Sequence, residues 1–181
     1  MKKFELTNEF VTNMFGTKLF RIRALVEFGN VEAGELGGYV EKESNLGHDD
    51  NAWVYGNARV YGDALVYDNA RVYDNAWVYG DAQVSGDARV CGDARVCGNG
   101  DYAYAHGFGS VNRTTTFFRL KDGGVGVRCG CFYGTLAQFR DKIRETHGET
   151  KKAQEYLMLA DLMELRFEED ENEVGNRKYV E

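Results

Sequence analysis

The chain predicts a mainly β protein: a parallel β-helix of hexapeptide repeats, expected to be left-handed, followed by a small α+β C-terminal module. The repeat itself is the first observation. From Asn51 to Gly98 the chain reads Asn-Ala-Trp-Val-Tyr-Gly, Asn-Ala-Arg-Val-Tyr-Gly and onward through eight consecutive six-residue units without a slip. Valine recurs at 54, 60, 66, 72, 78, 84, 90 and 96, with alanine two positions earlier each time. A period of six fits neither a 3.6-residue helix nor a hairpin array. It is the pattern of a solenoid in which each unit supplies one short strand and one corner. The second observation is the corner chemistry. Gly-Asp, Gly-Asn or Asp-Asn pairs separate the units, and these residues tolerate the left-handed backbone of a tight corner. The third is the change of pattern after Thr114, where strand and helix signals replace the repeat.

If three units close one coil, residues eighteen apart stack, and the outward positions form ladders. Trp53, Arg71 and Arg89 make one; Arg59, Trp77 and Arg95 make the next; Leu65, Gln83 and Asp101 make the third. Tyr55 is expected over Tyr73 and Tyr61 over Tyr79, each leading to a cysteine, Cys91 or Cys97. Coils lie about 4.8 Å apart, which brings a guanidinium near an indole face. The ladders read either as support for the repeat or as a flat arginine and aromatic face that binds a partner, protein or nucleic acid. The same exposed aromatics suit self-association into a homo-oligomer.

Composition narrows the classes. Glycine is abundant (22) and proline absent, which assigns glycine to repeat corners. No run of about 18 apolar residues is present, so no membrane span is expected. The start, Met-Lys-Lys-Phe-Glu-Leu, lacks the apolar centre of a signal peptide, and a cytoplasmic location is expected. Cys91 and Cys97 take a position held by Tyr or Ser in earlier units, which reads as interchangeable surface-ladder residues rather than a disulfide framework. The net charge of −7 argues against generic duplex-DNA binding. Its distribution is uneven. Residues 1–112 hold 10 Lys/Arg against 16 Asp/Glu, residues 113–167 hold 10 against 7, and residues 168–181 hold 2 against 6. A slightly basic module thus lies between an acidic β-helix and an acidic tail.

In chain order, residues 1–20 read as an N-terminal cap with one short helix or strand, since an open coil end exposes unpaired strand edges. The β-helix spans 21–112. Val40 and Leu46 enter its register, and His48-Asp49-Asp50 holds a two-residue insertion at one corner, with His48 as an exposed loop residue. Tyr102 and Phe108 read as a degenerate last rung, for twelve rungs and about four coils. The α+β module at 113–167 begins with a strand from Thr114 to Leu120. Asp122-Gly123-Gly124 then turns into a return strand from Val125 to Tyr133. Thr135-Leu-Ala-Gln138 is a capping box that starts a helix ending at His147-Gly148. A second helix covers about Thr150 to Phe167, and its apolar stripe is core packing rather than a cofactor box. Residues 168–181 form the acidic tail.

Few constellations carry chemistry. Cys129-Gly130-Cys131 places two thiols on one face of the return strand, with His147 the only nearby third ligand. This reads as packing, and neither a metal nor a cofactor is expected. Arg128, Arg140, Lys142, Arg144, Lys151 and Lys152 cluster in sequence, and Phe132 and Tyr133 lie beside them. The group reads either as a grip on an RNA backbone or as solvated helix faces. His147 reads either as a general acid or base in phosphodiester cleavage or as a histidine set against a helix C-terminus. An acyltransferase would need a histidine base, for which His48, His106 and His147 are available.

The run Leu36-Gly-Gly-Tyr-Val-Glu-Lys-Glu-Ser-Asn-Leu46 followed by Asn-Ala-Trp-Val repeats resembles hexapeptide-repeat proteins of phages and mobile elements. Arg128-Cys-Gly-Cys-Phe-Tyr-Gly together with Thr146-His-Gly148 resembles the C-terminal module that such proteins carry. Within this group, size and domain order look closest to anti-CRISPR proteins directed at type II-A Cas9. That resemblance implies a β-helical domain required for inhibition, Cas9-dependent shortening of the single guide RNA, and action in the host bacterial cytoplasm. It fixes no catalytic residue. Two other readings stand beside it: an assembly protein that polymerises through its coil ends, and a hexapeptide-repeat acyltransferase.

Overall fold

The computed structural model describes residues 2–109 and 111–168. All but the first residue of the acidic tail at 168–181 therefore lies outside the described residues. The centre is a parallel β-solenoid. Strand β3 (Leu36–Val40), Leu46 and β4 (Trp53–Val54) make the first coil. The second holds β5 (Arg59–Val60), β6 (Leu65–Val66) and β7 (Arg71–Val72). The third holds β8 (Trp77–Val78), β9 (Gln83–Val84) and β10 (Arg89–Val90), and β11 (Arg95–Val96) opens a fourth. Three complete coils and one further strand replace the twelve rungs expected.

Each coil hydrogen-bonds to the next at the expected stagger. Trp53 N–H donates to Ala70 O (3.1 Å), and Arg71 N–H donates to Ala88 O (2.9 Å). The valines from Val54 to Val96 are fully buried, and their alanines are buried to within 1%. A β-branched residue fits the pleat at every strand and a methyl group suffices at the narrow corner. Backbone strain sits where the unit ends. Gly56, Gly62, Gly80, Gly86 and Gly92 have positive φ, and so do Asp68 (56°) and Asp74 (59°). The two aspartates offset that cost with a hydrogen bond to the next coil. Asp68 Oδ2 accepts Gly86 N–H (3.0 Å) and Asp74 Oδ2 accepts Gly92 N–H (3.1 Å).

The first coil is covered by a β-hairpin, not by one short element. Strands β1 (Phe4–Thr12) and β2 (Lys18–Ala24) pair antiparallel, and β2 continues onto β3. Asn13 closes the turn, its Oδ1 accepting the N–H of Phe15 and of Thr17. Below Ala52, Lys3 is buried with its ammonium donating to Ala52 O (2.9 Å) and set over the Phe28 ring. Burial lowers its pKa to about 8. Asn45, fully buried, donates to Gly62 O and Ala64 O and ties the first corner down.

The far end is covered by an antiparallel sheet: β12 (Tyr102–Phe108), β13 (Arg113–Arg119), β14 (Val125–Cys129) and β15 (Phe132–Thr135), in that order. Residues 102–108 are thus not a last rung but the first strand of the C-terminal sheet. The expected return strand breaks at Gly130 (φ 59°), which turns β14 into β15. Cys129 and Cys131 consequently flank a turn rather than share one face of a strand. Side-chain alternation gives this sheet two jobs. Phe117 faces the helices, while Phe118 joins the solenoid core. Helices α1 (Leu136–His147) and α2 (Lys151–Phe167) pack on the outer face through Phe139, Ile143, Tyr156, Ala160 and Phe167. The Thr135–Gln138 capping box forms as the sequence predicts, and Gly148 ends α1 at positive φ. No helix among the described residues is long and apolar enough to cross a membrane.

One buried cation joins the parts. Arg119 ends β13 and is 8% exposed. It lies 4.0 Å from Asp101 at the solenoid exit, and its Nη2 donates to Phe167 O at the end of α2 (3.0 Å). Removing one partner of a buried pair strands the other, so Arg119→Ala is expected to lower stability by about 3 kcal/mol, measured by urea unfolding of the full chain. A change below about 0.5 kcal/mol would remove this contact from the list of structural struts.

Candidate functional site

The most distinctive surface is the outer face of the sheet β2-β3-β5-β8-β11. Its register aligns Arg21 with Tyr39, Tyr39 with Arg59, Arg59 with Trp77, and Trp77 with Arg95. Cations and aromatics alternate across five strands. The Arg21 guanidinium lies 5.3 Å from the Tyr39 ring centroid. Trp77 is held between two guanidiniums, Arg59 at 5.1 Å and Arg95 at 4.1 Å. Beside it Tyr61 and Tyr79 stack at 5.3 Å with planes 10° apart. Arg21 meets Glu9, whereas neither Arg59 nor Arg95 forms an ion pair among the described residues. Arg95 instead donates to the carbonyls of Asn75 and Ala94. Tyr39 is buried while Arg21, Arg59, Trp77 and Arg95 are half-buried, so the face carries three guanidiniums on a solenoid that is acidic as a whole.

Sequence reasoning found Arg59, Trp77 and Arg95 in this ladder and missed Arg21 and Tyr39. Tyr39 carried a readable signal. It precedes Val40 as Arg59 precedes Val60, and the two-residue corner insertion accounts for their twenty-residue spacing. Arg21 lies on an antiparallel strand outside the repeat, where no period points to it.

The ladder of Trp53, Arg71 and Arg89 is in register, yet Trp53 is not on the surface. It is fully buried, packed edge-on against Phe28 (5.2 Å) and Phe4 (6.1 Å). The N-terminal segment that covers the coil also covers its indole, a long-range contact that the repeat does not encode. Arg71 and Arg89 remain accessible and line a polar cavity of about 560 Å³ between the solenoid and the C-terminal sheet. Cys91 is buried as well, not a surface-ladder residue, and burial pushes its thiol up to about 11. A thiol so raised is a poor nucleophile at neutral pH.

The six basic residues grouped by sequence do not form one surface. Arg128 faces the solenoid, its guanidinium 5.8 Å from the Tyr73 ring centroid. Arg140 is held by Asp161 (2.8 Å) and Glu164 (2.7 Å), which raise its pKa. Lys142 pairs with Glu145, Arg144 with Asp141, and Lys151 with Glu155. Lys152 is exposed and without an ion pair among the described residues. Alternating charges along α1 and α2 therefore neutralise most of the field that the sequence suggested.

The histidines are separated. His147 stacks on Tyr156 (6.1 Å, 23°) at the end of α1. His48 is not an exposed loop residue. Its ring stacks on Phe4 at 4.5 Å, and its Nδ1 accepts Lys3 N–H (3.1 Å). A backbone N–H can only donate, so the proton sits on Nε2, which donates to Glu43 (3.0 Å). With both nitrogens engaged, His48 does not have the free base that an acyl transfer requires. No group of three or more His, Cys, Asp or Glu among the described residues is arranged to hold a metal.

Stacked parallel coils closed by a separate structure at each end define a capped β-solenoid protein. The coils match the YdcK beta solenoid repeat, at residues 52–68, 64–80 and 82–98, which leaves the N-terminal hairpin and the C-terminal module outside the match. No curated protein matches the chain.

Two outcomes follow from the ladders. Trp77→Ala removes the surface shared by two guanidiniums and is expected to cost about 1–3 kcal/mol, read from urea unfolding. The alkaline limb of stability is set by burial. It pushes Tyr79 and Tyr156 up to about 12, and Cys91 to about 11. The unfolded chain releases these protons near pH 10 and 9, so their contribution is full below pH 9 and is lost as pH rises toward 12. Lys3, lowered to about 8, acts oppositely between pH 8 and 10.5, which leaves the steepest fall above that window. Tyrosinate absorbance should show part of the tyrosine set ionising only as the chain unfolds; complete ionisation near pH 10 in the folded protein would contradict this burial.

Proposed function

We propose that this chain is an interaction protein whose cation–aromatic face engages an RNA-bearing partner, and that this partner is type II-A Cas9 with its single guide RNA. The observation that supports RNA engagement is the ladder of Arg21, Arg59 and Arg95 with Tyr39 and Trp77. Two of its three guanidiniums form no ion pair among the described residues. The guanidiniums suit a polynucleotide backbone through phosphate attraction, and the aromatic rings between them hold them in register. The choice of Cas9 rests on the resemblance of the Leu36–Leu46 and Arg128–Gly148 runs to anti-CRISPR proteins. In this reading the rigid solenoid positions the face, and inhibition follows either from shortening of the guide or from blocking its use.

The alternative of polymerisation through coil ends requires open coil edges. Here one end carries the β1–β2 hairpin and the other the β12–β15 sheet. The interaction reading is therefore the better supported.

The test incubates the full chain with Cas9 and end-labelled guide RNA, with controls lacking each protein, followed by a denaturing gel and a target-DNA cleavage assay. A shortened guide only with both proteins present, or blocked target cleavage with an intact guide, is the expected result. Arg59→Ala with Arg95→Ala should weaken the effect at least tenfold, with the fold checked by circular dichroism. An intact guide together with normal target cleavage would end the Cas9 reading.

A further inference from the structure

The cavity between the solenoid and the C-terminal sheet belongs to no part of the proposed Cas9 mechanism, and most of its lining side chains are polar or charged. Arg71 and Arg89 stand on adjacent strands in register, so their side chains leave the sheet about 4.8 Å apart. Arg113 enters from the opposite wall, at the start of β13. Its Nη1 lies over Gly130, where a Cβ would push the guanidinium aside. His106 lines the same wall, with Nδ1 and Thr114 Oγ1 2.8 Å apart. None of the three arginines forms an ion pair with a carboxylate among the described residues. Among the described residues that line the cavity Asp87 is the one acidic side chain, and all but Gly130 carry polar side chains.

Three arginines line one open cavity of about 560 Å³, a setting that suits an anion, and a guanidinium fork matches a phosphate above other anions. The rest of the lining wants hydroxyl groups. Asp87 accepts from them, and the carboxamide of Asn69, already accepting from Asn51 Nδ2 (3.0 Å), keeps its own N–H donors. We propose that this cavity is a binding site for a sugar phosphate ester, with Arg71, Arg89 and Arg113 on the phosphate and Asp87 and Asn69 on sugar hydroxyls. The ester is either a free sugar phosphate or one unit of an RNA chain, and both present the same chemistry to these residues. The site is independent of the Cas9 reading.

The test is calorimetric titration of the full chain with inorganic phosphate, ribose 5-phosphate and a single-stranded RNA octamer. Ribose 5-phosphate is expected to bind at least tenfold more tightly than inorganic phosphate, because only it engages the hydroxyl-binding residues. Arg89→Ala and Arg113→Ala, both exposed positions, should each weaken binding about tenfold, and Lys152→Ala should leave it unchanged. Asp87→Ala should narrow the difference between ribose 5-phosphate and inorganic phosphate. If the octamer binds and the monomer does not, with the same dependence on Arg89 and Arg113, the ester is assigned to a polynucleotide. Binding of none of the probes at millimolar concentration would overturn the proposal. So would binding that survives Arg89→Ala and Arg113→Ala in a folded protein. Neither result would bear on the Cas9 assay, which uses a different face and different variants.

Discussion

The structure depends on the hydrogen bonding of a parallel coil to the coil above it. A strand of two residues cannot hold itself in place, and it is fixed only by neighbours eighteen residues away in either direction. Every interior coil has both neighbours. The first and last have one each, and their remaining N–H and C=O groups would be left to water or to another chain. Much of what is not repeat in this protein answers that single deficit. At the far end the answers are individually visible. Asn99 Oδ1 accepts Gln83 N–H (2.7 Å), Tyr102 OH donates to Gln83 O (2.7 Å), and Thr116 Oγ1 accepts Arg89 N–H (2.9 Å). Lys121 N–H reaches Asp93 O (3.0 Å). Side chains and one backbone segment together replace a missing coil.

This requirement also explains why the C-terminal sheet is two-sided. A surface helix pair would need only one apolar face beneath it. Here β13 alternates, so Phe117 and Thr115 serve the helices while Phe118 and Thr116 serve the solenoid. Tyr133 stacks on Phe118 from β15 and extends the same contact (6.5 Å, 16°). The module is a lid first, and whatever it contributes to partner recognition is built on that role. The polar cavity is a by-product of the lid's geometry: it lies where the sheet leaves the solenoid corner.

The sequence made the repeat legible because its information is local and periodic. Val54 through Val96, the ladder registers and the Thr135 capping box needed only spacing. The failures share one cause. Trp53, Cys91, His48 and Arg128 all have local contexts that suggest exposure, and each is covered or tied down by a segment distant in sequence. Likewise Arg140, Arg144 and Lys151 looked like a basic cluster because a linear scan counts charges without their i, i+3 and i, i+4 partners or those on the facing helix. Arg71 and Arg89 were readable as ladder members, but the third arginine of their cavity, Arg113, meets them only through a sheet that folds back over the coils. Periodicity reports what stacks; it is silent on what covers the stack.

The caps have one more consequence. The N-terminal hairpin grips the first coil through Trp53, and the C-terminal module grips the last coils through Gln83, Arg89 and Tyr73, so a coil added between those contacts touches neither lid. Adding eighteen residues within the repeat would return every corner to its place. The separation between the N-terminal hairpin and the C-terminal sheet therefore changes in discrete steps of about 4.8 Å. The protein is a ruler with interchangeable graduations, and any partner that touches both ends reads its length in whole coils.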